Sequence, residues 1–170
     1  MKRIAFVGKM GNGKTTAAQY LVDNYGFKRY SFAQKLKDIC VDMGWMPAGT
    51  KDRQLLQEFG TDVMRAWRPN VWVDYLIYRI TSDNMECATV DDCRFLNEAE
   101  ALRKIGFTIV RMINDSGSID AAGLSATTAQ HSSELESDKI VADITIKANS
   151  LQSMKLQLDS LMSEIPEVWD

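Results

Sequence analysis

The chain has 170 residues, of which 45% are apolar and 25% charged, the balance of one globular domain with a real core. Its net charge of −3 excludes a broad nucleic-acid surface, which needs a basic excess. A small nucleotide stays open, because a few placed cations suffice for one phosphate chain.

Residues 3–7 (Arg-Ile-Ala-Phe-Val) read as a short buried strand ended by Gly8. A helix follows over Thr15–Asn24, with Ala17, Ala18, Leu21 and Val22 for packing and Gly26 as its stop. Phe27–Phe32 can form a second strand, and Ala33–Met43 a helix with Leu36, Ile39 and Cys40 on one side. Pro47 and Gly49 break the pattern. Asp52–Trp67 has Leu55, Leu56, Phe59 and Val63 at helical spacing; after Pro69 a helix resumes over Val71–Ile80. Glu86–Asp91 reads as a third strand, Asn97–Lys104 as a helix stopped by Gly106, and Phe107–Ile113 as a fourth strand. Residues 114–138 have little periodicity, and so long an excursion suggests a functional lid or a disordered segment. Ile140–Ile146 is the expected fifth strand and Leu151–Met162 the closing helix. This alternation predicts an α/β fold: a five-stranded parallel sheet covered by helices on both faces.

The three cysteines, Cys40, Cys87 and Cys93, form no CxxC pair and read as reduced thiols in a cytosolic protein. With His131 as the single histidine, an ordinary zinc site is not expected. The apolar run Ile4–Val7 is too short for a signal peptide, and no run approaches membrane-spanning length, so a cytoplasmic protein is expected.

Gly8-Lys9-Met10-Gly11-Asn12-Gly13-Lys14-Thr15 fits G-x-x-x-x-G-K-[ST], placed between a strand and a helix. Such a loop aims backbone N–H groups at phosphates, and its glycines let the backbone approach closely. Lys14 adds a charge for the β- and γ-phosphates of ATP, Thr15 offers a hydroxyl to Mg²⁺, and Thr16 continues into the helix whose positive end faces the same anion. No Asn-Lys-x-Asp run for guanine occurs. The third strand ends in Asp91-Asp92, an acid where Mg²⁺ needs a partner.

Downstream, Asp92-Cys93-Arg94-Phe95-Leu96-Asn97-Glu98 resembles the D-x-R-F-x-N-E run of deoxynucleoside monophosphate kinases of tailed phages. Ser31-Phe32-Ala33 with Leu36-Lys37, the stretch from Arg53 through Gln57, Gly60-Thr61, Arg65 and Pro69 to Trp72, and His131-Ser132-Ser133-Glu134 resemble further segments of that family, in family order. The resemblance implies a single P-loop kinase domain with a core (1–32, 84–113 and 139–170), an NMP-binding region (33–83) and a lid (114–138). It implies transfer of the γ-phosphoryl group of ATP to a deoxynucleoside 5′-monophosphate (dNMP), and a homodimer acting in the host cytoplasm.

Phosphoryl transfer needs alignment and neutralisation of crowded anions more than covalent chemistry. Lys14 and Mg²⁺ serve the donor. Arg65 and Arg94 are the candidates for the acceptor phosphate, since arginine grips phosphate oxygens with paired hydrogen bonds. Asp92, which holds the family position, orients Mg²⁺ or holds Arg94. Lys37 touches the acceptor phosphate or caps its helix. Gln57 is the candidate for the acceptor base, with Phe32 or Trp72 stacking on it or packing in the core; Arg53 and Arg68 are further phosphate candidates. Glu134 matches the family run without a derivable role.

Two departures stand out. No Lys or Arg occurs between Met112 and Asp138, where kinases of this fold commonly supply lid arginines. Either Arg111 reaches the γ-phosphate from the lid entry, or Arg65 and Arg94 carry that work as well. Ala148-Asn149-Ser150 stands where the family often has Asn-Asn-Gly, leaving Asn149 as the adenine contact. The competing readings are a kinase for another small acceptor, of the dephospho-coenzyme A or phosphomevalonate type, and a nucleotide-binding regulatory module without catalysis.

Overall fold

A computed structural model describes residues 1–114 and 132–164 of the chain. Its five strands are β1 (Lys2–Val7), β2 (Lys28–Tyr30), β3 (Cys87–Val90), β4 (Thr108–Asn114) and β5 (Ile144–Ala148). They pair in the order β2-β3-β1-β4-β5, every neighbour parallel. The helices are α1 (Lys14–Tyr25), α2 (Phe32–Asp42), α3 (Arg53–Gln57), a π-helix (Glu58–Arg65), α4 (Val71–Asp83), α5 (Leu96–Lys104), α6 (Ser132–Lys139) and α7 (Leu151–Glu164).

β1 is central because it is apolar on both sides. Ile4 and Phe6 pack against α1 and α7, through Ala17, Leu21, Met154 and Leu158. Ala5 and Val7 face the opposite core, with Leu36, Leu76, Ile80 and Leu102 from α2, α4 and α5. Period-2 alternation thus feeds two cores from one strand. Each fully buried side chain such as Phe6 contributes roughly 1.5–3 kcal/mol.

The topology also chooses the site. β1 connects to β2 on one side, while β3 connects back across β1 to β4. The loops after β1 and β3 therefore leave toward opposite faces, and a crevice opens between their carboxyl ends. The glycine loop follows β1, and Asp91–Phe95 follow β3.

Three sequence expectations are corrected. The helix expected over 52–67 is α3 followed by eight residues of π-helix. There the Trp72 indole donates to Gly60 O at 3.0 Å, and a Cβ at Gly60 would lie 2.5 Å from Leu36 Cδ2. The wider π turn carries Gly60, Thr61 and Arg65 to the crevice wall, a common use of that geometry. The fifth strand starts at Ile144 instead of Ile140, because Ile140 is buried in the core beyond α6 and Asp143 starts the pairing with Ile109. β2 ends at Tyr30, and Phe32 opens α2. The three thiols are free, as expected, and no described helix is long and apolar enough to cross a membrane. The lid expected over 114–138 lies outside the described residues except for its ends, as does His131.

Candidate active site

The glycine loop is built on close approach. Gly8 has φ 135°, and a Cβ there would sit 2.5 Å from Met112 O. Asn12 donates from Nδ2 to the same carbonyl at 2.9 Å, which pins the loop to β4. Gly13 caps α1 in the left-handed region with no side-chain cap, so the first N–H groups of the helix are left for an anion. The buried Lys14 ammonium donates to Gly8 O at 2.6 Å and Lys9 O at 2.7 Å, a position across the loop's mouth. Lys9 points away, to an exposed ion pair with Asp138 at 3.8 Å.

Thr15 and the two strand-end acids settle into separate tasks. Thr15 Oγ1 donates to Asp91 Oδ2 at 2.7 Å, and Arg29 Nη2 donates to the same oxygen at 2.7 Å. Asp91 Oδ1 is buried with no hydrogen-bond partner. Asp92 turns the other way: its carboxylate accepts from Ser31 Oγ and the N–H groups of Phe32 and Ala33, at 2.6, 2.9 and 3.0 Å. It is the cap of α2 supplied from the loop after β3, which is why Phe32 starts a helix. Of the two acids it is Asp91, and not the expected Asp92, that stands beside the Thr15 hydroxyl. A hydroxyl and a carboxylate with one oxygen unspent are hard donors that fit Mg²⁺. Among the described residues no group of three or more acidic, His or Cys side chains could hold a metal alone, so phosphate oxygens would have to complete the shell.

From this point a cleft of about 490 Å³ runs under α2, α3 and the π-helix. Seven basic side chains line it, namely Lys14, Arg29, Lys37, Lys51, Arg53, Arg65 and Arg94, against the three carboxylates Asp91, Asp92 and Glu98. In a chain of net charge −3 this concentration marks an anion site. Arg94, Arg65, Lys37, Gln57, Phe32, Trp72, Met10, Gly11, Gly13 and Thr16 are among the lining residues, so the two halves of the expected constellation share one cavity. Lys37 lies in the middle of α2, where it cannot cap the helix end. Trp72 and Phe32 reach the cleft and also belong to the core.

Glu98 organises a second group of cleft residues, Arg65, Arg94 and Phe95. It is 1% exposed. One oxygen accepts from Arg65 Nη2 at 2.5 Å, and the other accepts from the N–H groups of Arg94 at 2.8 Å and Phe95 at 3.2 Å. The Arg65 guanidinium lies 4.0 Å over the Phe95 ring. One carboxylate thus fixes the Arg65 side chain and the turn presenting Arg94. Burial pushes the Glu98 carboxyl above the ordinary glutamate value, against the pull of Arg65. A raised acid means that this group favours the fold in its protonated form. Its contribution is complete below the ordinary value of 4.5 and is lost as pH rises through the raised one. Melting curves between pH 4 and 7 are expected to show that loss in the wild type and not in Glu98→Gln. The same variant is expected to raise the acceptor KM about tenfold, since the amide places a donor against Arg65.

Lys51 was not singled out by the sequence. Its ammonium is held below the ordinary lysine value, first by loss of hydration beside the cleft and then by the like charges of Lys37, Arg53 and Arg94, against the pull of Asp92. Four cations crowded at one end of the cleft form a place where a dianion relieves repulsion. Lys51→Met is expected to raise the acceptor KM about tenfold with ATP affinity unchanged, measured by steady-state kinetics and calorimetry.

Several expected residues stand elsewhere. Arg111 donates to Ser137 O at 3.1 Å and Ile140 O at 2.5 Å, so its guanidinium ties the end of α6 to β4 instead of facing the cleft. Arg68 pairs with Asp74 at 3.5 Å on the surface. Asn149 is exposed on the loop after β5. Glu134 falls in α6, with its side chain outside the described residues.

No family model matches the chain. A protein of Acanthamoeba polyphaga mimivirus named "Putative deoxynucleotide monophosphate kinase" is 30% identical over 166 residues, covering 80% of this chain and 82% of the viral one. Among solved structures, shikimate kinase from Aquifex aeolicus superposes with a TM-score of 0.54 at 20% identity, covering 95% of this chain and 96% of its own. Shikimate kinase from Acinetobacter baumannii gives 0.57 at 17% identity, over 96% and 92%. These likenesses show the P-loop kinase fold. Taken with the viral relative, they make this chain a phosphotransferase, and it belongs to the deoxynucleotide monophosphate kinase family of P-loop proteins.

Proposed function

We propose that the enzyme transfers the γ-phosphoryl group of ATP to a dNMP, giving dNDP and ADP. The observation that carries this reading is the two-ended cleft. The glycine loop, Lys14, Thr15 and Asp91 stand at one end, and the cations Lys37, Lys51, Arg53 and Arg94, with Arg65, at the other. Two anions meeting head to tail need this division, because donor and acceptor phosphates repel until both are neutralised.

The glycine loop takes the donor phosphates, and Lys14 leaves its loop carbonyls for the β- and γ-oxygens. Mg²⁺, held by Thr15 and Asp91 together with the phosphates, would supply a further neutralising charge. Arg94 and Arg65, the latter on Glu98, take the acceptor phosphate, with Lys51 and Lys37 beside them. Gln57 contacts the acceptor base, with Phe32 and Trp72 forming the wall it rests on, and Asn149 serves the adenine of ATP. The region 33–83 is the acceptor-binding unit, 114–138 the lid over the bound pair, and the rest the core. The name of the viral relative supports the deoxynucleotide acceptor; a place in phage deoxynucleotide metabolism, in the host cytoplasm, belongs to the same proposal. Light scattering tests the homodimer that the family resemblance implies.

The deciding experiment is a coupled assay with ATP against a panel of dNMPs, ribonucleoside monophosphates and dephospho-coenzyme A. Turnover with at least one dNMP is the expected result. Activity confined to dephospho-coenzyme A, or ATP binding without transfer to any acceptor, would overturn the reading.

A further inference from the structure

Phosphoryl transfer places the most charge on the group in flight, and the residues from 112 to 138 contain no Lys or Arg to meet it. Arg111, at the entry to that stretch, is spent on the carbonyls of Ser137 and Ile140. Of the seven basic residues lining the cleft, Lys37, Arg53 and Arg94 gather around Lys51, and Arg65 is bound to Glu98. Lys14 belongs to the glycine loop. Arg29, paired with Asp91, is the one to which the proposed function gives no phosphate.

Arg29 sits on β2 in register with Thr89, between Lys28 and Tyr30. Tyr30 faces the core under α2 and α4, so alternation sends Arg29 to the α1 side, where Thr15 stands. Its Nη2 and Thr15 Oγ1 both lie 2.7 Å from Asp91 Oδ2. The guanidinium is thus one carboxylate oxygen away from the hydroxyl offered to Mg²⁺. It lines the cleft that Arg94 and Arg65 line from the other end. Its side chain is 38% exposed against 3% for Asp91 and borders the cleft, and the guanidinium has donors beyond the Nη2 that Asp91 engages.

Resting on the proposed function, we propose that Arg29 is a catalytic residue that hydrogen-bonds the γ-phosphoryl group in flight, supplying from β2 the positive charge that the lid lacks. The bond from Pγ to the bridging oxygen breaks and its electron pair stays on ADP. A bond forms from Pγ to an oxygen of the acceptor's 5′-phosphate dianion, which brings no proton to remove. Arg29 meets the equatorial oxygens of Pγ between the two, and it is held ready by Asp91. Its planar fork suits three spread oxygens better than a point charge does.

The test uses Arg29→Lys, which keeps a cation beside the buried Asp91 and so protects the fold, together with Arg29→Gln. Wild-type turnover of a dNMP is read first, since its absence sinks the proposed function itself. Given that turnover, kcat in both variants is expected to fall about 10²–10³-fold, with both KM values and the ATP dissociation constant within threefold of wild type. Binding of ADP with aluminium fluoride in the presence of dNMP, a mimic of the group in flight, is expected to weaken in parallel, while ADP and dNMP without fluoride bind normally. A kcat within threefold of wild type would overturn the assignment. So would recovery of wild-type turnover at raised Mg²⁺, because Arg29 would then serve only to place Asp91 for the metal.

Discussion

Gly8→Ala is expected to abolish measurable ATP binding and to lower the melting temperature by about 10 °C. Two costs fall on one atom. At φ 135° an L side chain is strained, by about 1–3 kcal/mol. The new Cβ would also lie 2.5 Å from Met112 O, a main-chain atom of a central strand that cannot swing aside. Overpacking of that kind adds about 1–3 kcal/mol. For a domain of this size each kcal/mol moves the midpoint roughly 2–4 °C. Relief requires the loop to part from β4, which also breaks the Asn12 bond to Met112 O and moves the Lys14 ammonium off its two carbonyls. Gly49→Ala is the control: its φ is 76° but nothing lies within 4 Å, so only the backbone cost of about 1–2 kcal/mol applies. Calorimetry and nucleotide titration on both variants decide the matter. Equal losses in the two, or normal ATP binding by the Gly8→Ala variant, would show that close approach to Met112 is not what Gly8 is for.

The donor half was legible in the sequence because its parts are contiguous. Between a strand and a helix, the loop needs only the eight residues Gly8–Thr15 in the right order, and the backbone does the rest. The acceptor half was legible in residue type but not in assignment. Asp91 and Asp92 adjoin at a strand end, and which one faces Thr15 depends on the phase of β3 against β1, a register no local pattern states. The structure gives Asp91 to Thr15 and sends Asp92 sixty residues back to cap α2. Neither Arg29 nor Lys51 stands in a motif; only the closing of α2 and α3 over the sheet brings both to the cleft. Glu98 did carry a signal. It stands three residues after Phe95, at the position of a capping-box glutamate, and its oxygen does take that backbone N–H. Its second task, holding Arg65 across 33 residues, had no local trace. The π-helix was invisible for a related reason: apolar spacing fits an α-helix over 52–67, and only the Trp72–Gly60 bond and the approach to Leu36 accompany the wider turn.

Arg94→Ala is expected to lower kcat/KM for the dNMP by about 10²–10³-fold while the ATP dissociation constant stays within twofold. The side chain lines the cleft just beyond β3, on the turn that Glu98 fixes through the Arg94 N–H. That bond is made by the main chain, so it survives truncation to alanine, and Arg65 keeps its place on Glu98 and Phe95. The variant therefore subtracts one guanidinium from an otherwise intact site. A charge-assisted hydrogen bond contributes about 1.5–3 kcal/mol, and a bidentate grip contributes two, which sets the scale of the loss. Arg94→Lys separates charge from shape: an ammonium restores the positive charge but not the paired donors, and recovery of no more than about tenfold is expected. The donor end shares no side chain with this change, so ATP affinity is the internal control. Turnover that survived Arg94→Ala unchanged would place the acceptor phosphate elsewhere in the cleft, with Lys51, Lys37 and Arg53 as its holders. A loss of ATP binding equal to the loss of turnover would instead put Arg94 on the donor.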